Sequence, residues 1–329
     1  MTARATGATR ARPAARGAAL LLAMIIVALV ATITAGMVWQ QNRAVQVEAA
    51  ERARTQAMWV LHGALDWARL ILREDQRANQ QRGQALDSLD EPWATPLEEA
   101  RLSTFLAADK DNNADSGPEA FISGAIADAQ ARFNLRGLVD AAGKPVALQV
   151  AALQRLCDQV GAPGDAAKIL ANALGEALAL KAEGATTGAA DVPLAAQRLS
   201  DLAWAGVAPA TLALLEPVAV LLPEATPVNL NTAPRDVLVA AIDSIDPGSA
   251  ERLVQARQRK AFATLDDAKA LLPPTTVLDP ARVSVDTSYF EVAGRLRLED
   301  RVVEEKSLLV RRNNRVDVLR RERRSFSAP

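Results

Sequence analysis

The sequence predicts an α+β fold in the order long helix, strands, an all-helical stretch, strands. Three observations predict it. An apolar run from Ala18 leads into a stretch of helical hydrophobic period. Residues 146–222 are rich in Ala and Leu and broken by GAPGD, GATTGAAD and VAP. From Val283 onward apolar residues alternate with charged ones.

The first element follows from charge and period. No charged residue stands between Ala18 and Asn42, and about 20 apolar residues suffice to cross a bilayer as a helix. Arg4, Arg10, Arg12 and Arg16 precede the run with no acid among them. The positive-inside rule therefore puts the amino terminus in the cytoplasm and everything after Trp39 outside, with Trp39 as an interfacial aromatic. Beyond the run, the chain from Gln41 continues without Gly or Pro until Gly63, and Ala50, Ala57, Leu61, Ala64, Leu65, Ala68, Ile71 and Leu72 recur near the helical period. One long helix is expected to leave the membrane and pack one face on a folded body. A cleaved secretory signal is the competing reading, with Ala31, Ala35 and Gly36 as small-residue cleavage candidates.

After the helix, GQALDSLDEPWATPLEEARLSTFL reads as loop and then a short strand, and residues 108–118 as an acidic, turn-rich loop. AFISGAIADAQARFNLRGLVD then resumes as the other arm of a strand pair. Four helices are expected next, in VALQVAALQRLCDQV, DAAKILANALGEALALKA, PLAAQRLSDLAWA and PATLALLEPVAVLL. In NLNTAPRDVL, Thr232 precedes Pro234 near a helix start, a favourable cap arrangement, and DPGSA is a tight turn into another helix. Asn313-Asn314 is a hairpin-turn candidate between the closing antiparallel strands.

Composition excludes more than it assigns. The chain has 329 residues, half of them hydrophobic, and a net charge of -1, so no global field favours nucleic acid or an acidic substrate. Cys157 is the only cysteine and His62 the only histidine. That rules out an intrachain disulfide framework, a thiolate-rich zinc site and Ser-His-Asp schemes for all but the immediate surroundings of one imidazole. His62 reads as a polar-edge residue of a packed helix and Cys157 as core. No nucleotide loop, metalloprotease helix, nucleophile elbow or dinucleotide fingerprint is present, and no catalytic residue is expected.

A basic leader, Gly17 and an uninterrupted apolar helix resemble the type IV prepilin signal. The resemblance implies that a prepilin peptidase cuts on the cytoplasmic side between Gly17 and Ala18, leaving the apolar helix in place. Pilins carry Glu at the fifth mature position, which is Leu22 here; its absence is typical of the K minor pseudopilins of type II secretion. IADAQARFNLRGLV resembles a K-pseudopilin segment of the form D-x-Q-x-R-F-N-L-N-x-L through Asp128, Gln130, Arg132, Phe133, Asn134, Leu135 and Leu138, with Arg136 where the family often has Asn.

This resemblance implies a pilin-like fold: the long N-terminal helix packed on an antiparallel sheet, with a large all-α domain inserted between sheet strands. Its expected divisions are a leader over 1–17, the transmembrane and amphipathic helix over 18–80, and the first part of the pilin β-region over 81–140. The insert follows in halves, 141–226 and 227–275, and the closing strands occupy 276–329. It further implies an inner-membrane protein with a periplasmic body. The expected partners are the major pseudopilin and, in a tip complex that caps or initiates the pseudopilus, the minor pseudopilins I and J.

Two further site readings stand beside it. Asp109, Asp111, Asn113 and Asp115 place oxygen ligands at alternate positions, the spacing by which an EF-hand loop wraps calcium. Ala114 stands where that motif needs Gly, and Glu119 falls one position short of its terminal ligand. Calcium is the one cofactor suggested, and a solvated polar turn is the alternative. Asn229–Leu238 also resembles the opening of the helix-hairpin-helix module of competence-type DNA receptors, which makes a membrane-anchored DNA-binding protein the alternative function. Its hairpin would be Ile245–Ser249, where Asp243 and Asp246 repel phosphate, so no nucleic acid is expected. An anchored protein with no filament role is a third class.

Overall fold

In a computed structural model, residues 15–102, 120–187, 196–298 and 301–327 are described. The first element is a single helix, α1, over Ala15–Gln81. It ends where Gly83 takes φ +65° and the Gln84 amide donates back to Asn79 O at 2.9 Å, a closure that needs a residue without Cβ. The chain divides after Trp59 into two compact units.

In the second unit, which starts at Val60, α1 buries Leu61, Leu65, Ala68 and Leu72, spaced four, three and four residues apart as an apolar helical stripe requires. Leu65, Ala68 and Leu72 cluster with Trp93, Phe290, Val292, Leu309 and Val316. Trp93 meets Phe290 edge-on at 5.3 Å between ring centroids, the preferred arrangement of two aromatic quadrupoles. At Gly294 a Cβ would sit 3.2 Å from Leu61 Cδ2, so helix and sheet approach closely there.

The sheet is antiparallel with order β1-β2-β7-β8-β9. Its strands are β1 (Leu97–Arg101), β2 (Ala120–Asp128), β7 (Tyr289–Leu298), β8 (Arg301–Arg312) and β9 (Arg315–Ser327). Strands β2 and β7 are neighbours, paired from Ala120↔Leu298 to Asp128↔Phe290, and residues 129–288 leave and return at that adjoining end. A domain can be inserted there because its ends lie side by side.

The inserted region contains α2 (Ala147–Val160), α3 (Ala166–Thr187), α4 (Pro209–Leu215), α5 (Arg235–Ala241), α6 (Pro247–Arg259) and α7 (Leu265–Lys269). Two short parallel ladders join them, β3 (Phe133–Asn134) with β4 (Ala219–Val220) and β5 (Val228–Asn229) with β6 (Val283–Ser284). They enclose a separate core that includes Leu135, Leu153, Leu170, Leu202, Leu215, Leu230, Leu238 and Leu253. Cys157 is fully buried in it, and burial pushes its thiol pKa up to about 11. The α+β class, with the long helix on an antiparallel sheet and an all-α region between its strands, is as the sequence predicts.

Several local expectations are corrected. Strand β2 stops at Asp128, because the Asp128 carboxylate accepts from the Gln130 amide at 2.7 Å and the Asn134 side chain accepts from the Arg136 amide at 3.0 Å. These Asx turns convert the expected strand arm into two 3-10 turns around a two-residue strand. Residues 199–205 form a 3-10 helix where an α-helix is expected. Helix α4 ends at Leu215, ahead of Pro217, which has no amide hydrogen to continue the helical ladder, and β-branched Val220 enters a strand instead.

Candidate functional site

The candidate processing junction lies at the start of α1, where the backbone from Ala15 is already helical. Ala18 and Leu22 are exposed, as is every residue through Ala49, and the most apolar 18-residue window has mean hydropathy 2.7 with none of it buried in the protein. At about 1.5 Å per residue, Ala18–Trp39 is about 33 Å long, enough for a hydrocarbon core. The polar groups of this stretch are answered internally. Thr32 Oγ1 donates to Leu29 O at 2.9 Å, and Thr34 Oγ1 to Val30 O at 2.5 Å and Ala31 O at 3.1 Å, as a helix surrounded by lipid requires. Arg43 lies 5.8 Å from the Trp39 ring centroid. The suggested calcium ligands Asp109, Asp111, Asn113 and Asp115 lie outside the described residues.

Two buried polar nodes hold the second unit together. In one, the apolar stripe of α1 continues into Asp75 and Asn79, both buried. Arg311 of β8 donates to Asp75 Oδ2 at 3.0 Å and to Leu72 O at 3.3 Å from one amino group, and to Asp87 Oδ1 and Thr287 O from the other. Its guanidinium also lies 4.7 Å from the Phe290 ring centroid. Burial raises the Asp75 carboxyl to about 6, against the attraction of Arg311 and with help from the charge of Glu91. Burial likewise raises Asp87 to about 7, again opposed by Arg311.

Asp75, Asp87 and Glu91 bring carboxylate oxygens within 4.8 Å of one another. Asp75 and Asp87 are both bonded to the Arg311 guanidinium, and the Glu91 oxygens accept from Asn79 Nδ2, the Ser88 amide and Trp93 Nε1 at 2.7, 2.9 and 2.8 Å.

The second node joins sheet and insert through the residues that the sequence singled out. Asp128 is buried with its pKa raised by desolvation; its Oδ2 accepts from Asn229 Nδ2 at 2.9 Å and Thr232 Oγ1 at 2.6 Å. Thr232 thus serves Asp128 and does not cap α5, whose N-cap is Pro234 without a side-chain bond. Asn231 donates to Phe262 O and Val285 O and accepts from the Phe262 amide. Gln130 donates to Pro227 O at 3.0 Å and accepts from the Ser288 amide at 2.8 Å. Asn134 donates to Glu224 O at 2.7 Å and Thr226 Oγ1 at 3.0 Å. Each is a buried polar group with its capacity used, the condition under which such a network rigidifies a fold.

The first node was not foreseen. Asp75 could have been found as a carboxylate continuing an apolar stripe, but its partners stand far along the chain.

The hairpin at Ile245–Ser249 is closed to phosphate. Asp246 accepts from the Ser249 amide at 2.9 Å and from its hydroxyl at 2.5 Å. Asp243 is held by Arg155 at 2.8 Å and by Arg282, hydrogen bonds and charges that keep its carboxyl below the usual range despite desolvation. Arg257 points inward to Leu230 O and Ala233 O, both at 2.6 Å. The DNA-binding alternative therefore finds no support in its own motif.

Family models described as "Type II secretion system (T2SS), protein K" match residues 131–224 and 228–288, the two stretches that build the insert. The type II secretion system protein K of Pseudomonas aeruginosa is 31% identical over 300 residues, covering 87% of this chain and 85% of that protein. A chain in the crystal structure of the GspK-GspI-GspJ complex from the enterotoxigenic Escherichia coli type 2 secretion system aligns with TM-score 0.60 at 21% identity, over 85% of this chain and 98% of that one. The latter likeness is one of fold.

Proposed function

Since the chain belongs to the type II secretion system protein K family, we propose that it works as a minor pseudopilin at the tip of the pseudopilus, anchored in the inner membrane by Ala18–Val38 with its amino terminus cytoplasmic and its body periplasmic. Prepilin peptidase cuts after Gly17, so the helix is kept and Ala18 becomes the mature amino terminus. An apolar helix of this kind has two apolar destinations, the bilayer and the helical core of a filament. Assembly is transfer between them. The family is a structural component of secretion, and the chain is read as acting without catalysis.

The observation that carries the tip reading is Leu22. A carboxylate at that position would be able to pair with the new amino terminus of another subunit, and Leu cannot. The insert at residues 129–288 adds bulk that would obstruct a subunit stacked above it. The E. coli relative, by its title, occurs in a complex with GspI and GspJ; for this chain the corresponding partners are the minor pseudopilins I and J, together with the major pseudopilin below. Co-expression of the full chain with I and J in one membrane, followed by detergent extraction through a tag on this chain, is expected to recover all three. Recovery of this chain alone, with I and J extracted but unbound, would count against the reading.

Calcium is the proposed ligand of Asp109, Asp111, Asn113 and Asp115, supported by the alternate spacing of oxygen ligands. Calcium should raise the Tm of the detergent-solubilised chain and Asp111→Ala should remove that shift; equal Tm with calcium and with chelator would end the proposal.

A further inference from the structure

We propose that the outer edge of β9, over Arg323–Ser327, takes an extended acidic segment of a neighbouring pseudopilin subunit as a sixth strand of the sheet. The inference rests on the assembly reading above and adds to it the surface by which the folded unit grips its neighbour. Strand β9 is the last of the sheet. It pairs with β8 from Arg312↔Arg315 to Arg301↔Ser327, and among the described residues no strand pairs with its other side.

The half of β9 nearer the turn is engaged. Arg69 of α1 donates to Val316 O at 2.9 Å, Arg320 donates to Gln197 O, and Arg198 lies 3.6 Å from Glu322. From Arg323 to Ser327 every residue is exposed. Five residues are a usual strand length, and the open side of an edge strand presents N–H and C=O groups that a further strand can meet.

Charge says what that strand carries. On both faces of the sheet an acid of β8 stands directly opposite an arginine of β9, Glu305 with Arg323 and Glu304 with Arg324. Arg323 is committed, closing on the buried Glu305 carboxylate at 2.5 Å. Arg324 is not. Its row runs Arg295, Glu304, Arg324 across β7, β8 and β9, with Glu304 Oε1 3.7 Å from Arg295 Nε, and Arg324 has no ion pair among the described residues. The alternation of sign thus stops on a cation at the edge, and a carboxylate on the next strand continues it, since opposite charges facing one another across strands stabilise and like charges destabilise. Phe326, two residues on and so on the same face, is exposed and offers an apolar contact beside the ionic one. A second copy of this edge is a poor occupant, because over Arg323–Ser327 it brings two arginines and no acid.

The test is hydrogen–deuterium exchange of the full chain in detergent, alone and with the minor pseudopilins I and J, for wild type, Arg324→Glu and Arg324→Gln. In the complex, amides within Arg323–Ser327 are expected to exchange about tenfold more slowly, together with those of an acid-bearing segment of I or J. Arg324→Glu should weaken the complex about fivefold and flatten its salt dependence, and Arg324→Gln should weaken it less. The reversal also sets a carboxylate against Glu304 in its own sheet, so Tm checks its folding and Arg324→Gln carries the comparison if it fails. An acid-to-Arg change in the protected partner segment should restore binding to Arg324→Glu. Unchanged exchange of Arg323–Ser327 on complex formation, or affinities of both variants equal to wild type, would overturn the proposal while leaving the assembly reading intact. So would slow exchange already present in the chain alone, which makes another segment of this chain or a second copy the cover. Absence of any complex with the wild-type chain would overturn both.

Discussion

At the scale of single residues, Arg311 holds two carboxylates of raised pKa, Asp75 at about 6 and Asp87 at about 7. Both groups bind a proton more tightly in the folded chain than in the unfolded one, where the ordinary carboxylate value applies. Stability therefore rises as pH falls from about 7 to about 4 and is lost again as pH climbs back through the folded values. The carboxyls of Asp201 and Asp243, lowered in the folded state by their arginine partners against desolvation, work in the opposite sense only below the ordinary range, so the window above about 4 belongs to the raised carboxyls, Asp75 and Asp87 of the Arg311 node together with Asp128. Denaturant unfolding of the detergent-solubilised chain at pH 4.5 and pH 7 should give a higher stability at the lower pH, and Asp87→Asn should reduce that difference. A larger difference in the variant would contradict the account. Little of this node is legible in the sequence, because Asp75, Asp87 and Arg311 look like ordinary surface charges until the fold brings them together. Asp128, Asn134 and Asn229 were legible as motif residues, though the bond from Asn229 to Asp128 and those from Asn134 to Glu224 and Thr226 were not.

At the scale of elements, local chemistry decided what could be read. The Asn313-Asn314 turn was legible because both residues adopt positive φ, 50° and 62°, as a two-residue hairpin closing Arg312↔Arg315 requires. The end of β2 was not legible, since its hydrophobic pattern continues past Asp128 and only side-chain competition for the Gln130 and Arg136 amides stops it. Helix–loop contact was also invisible in sequence. A Cβ on Gly175 of α3 would lie 2.4 Å from Gly143 O, a distance that forces the loop or the helix to move. Gly175→Ala is therefore expected to destabilise the chain by about 1–3 kcal/mol despite the better helix propensity of Ala. Chemical denaturation reads it directly, and a stability equal to or above wild type would show that the approach is looser than described.

At the scale of the whole molecule, the order helix, strands, helices, strands was readable from hydrophobic period alone. What period does not give is that residues 120–128 and 290–298 pair in one sheet although the whole insert separates them in the chain. That pairing makes the helical region an insertion rather than an appended domain. The function is likewise concentrated where physics and resemblance meet. A helix of this length and apolarity can be a discarded signal or a retained anchor, and the two readings differ in a single covalent fact. Amino-terminal sequencing of the mature protein purified from membranes tests it most directly. The account predicts a chain beginning at Ala18, and an unprocessed chain in Gly17→Ala. A mature chain beginning after Ala35 or Gly36, or an intact Met1, would contradict it.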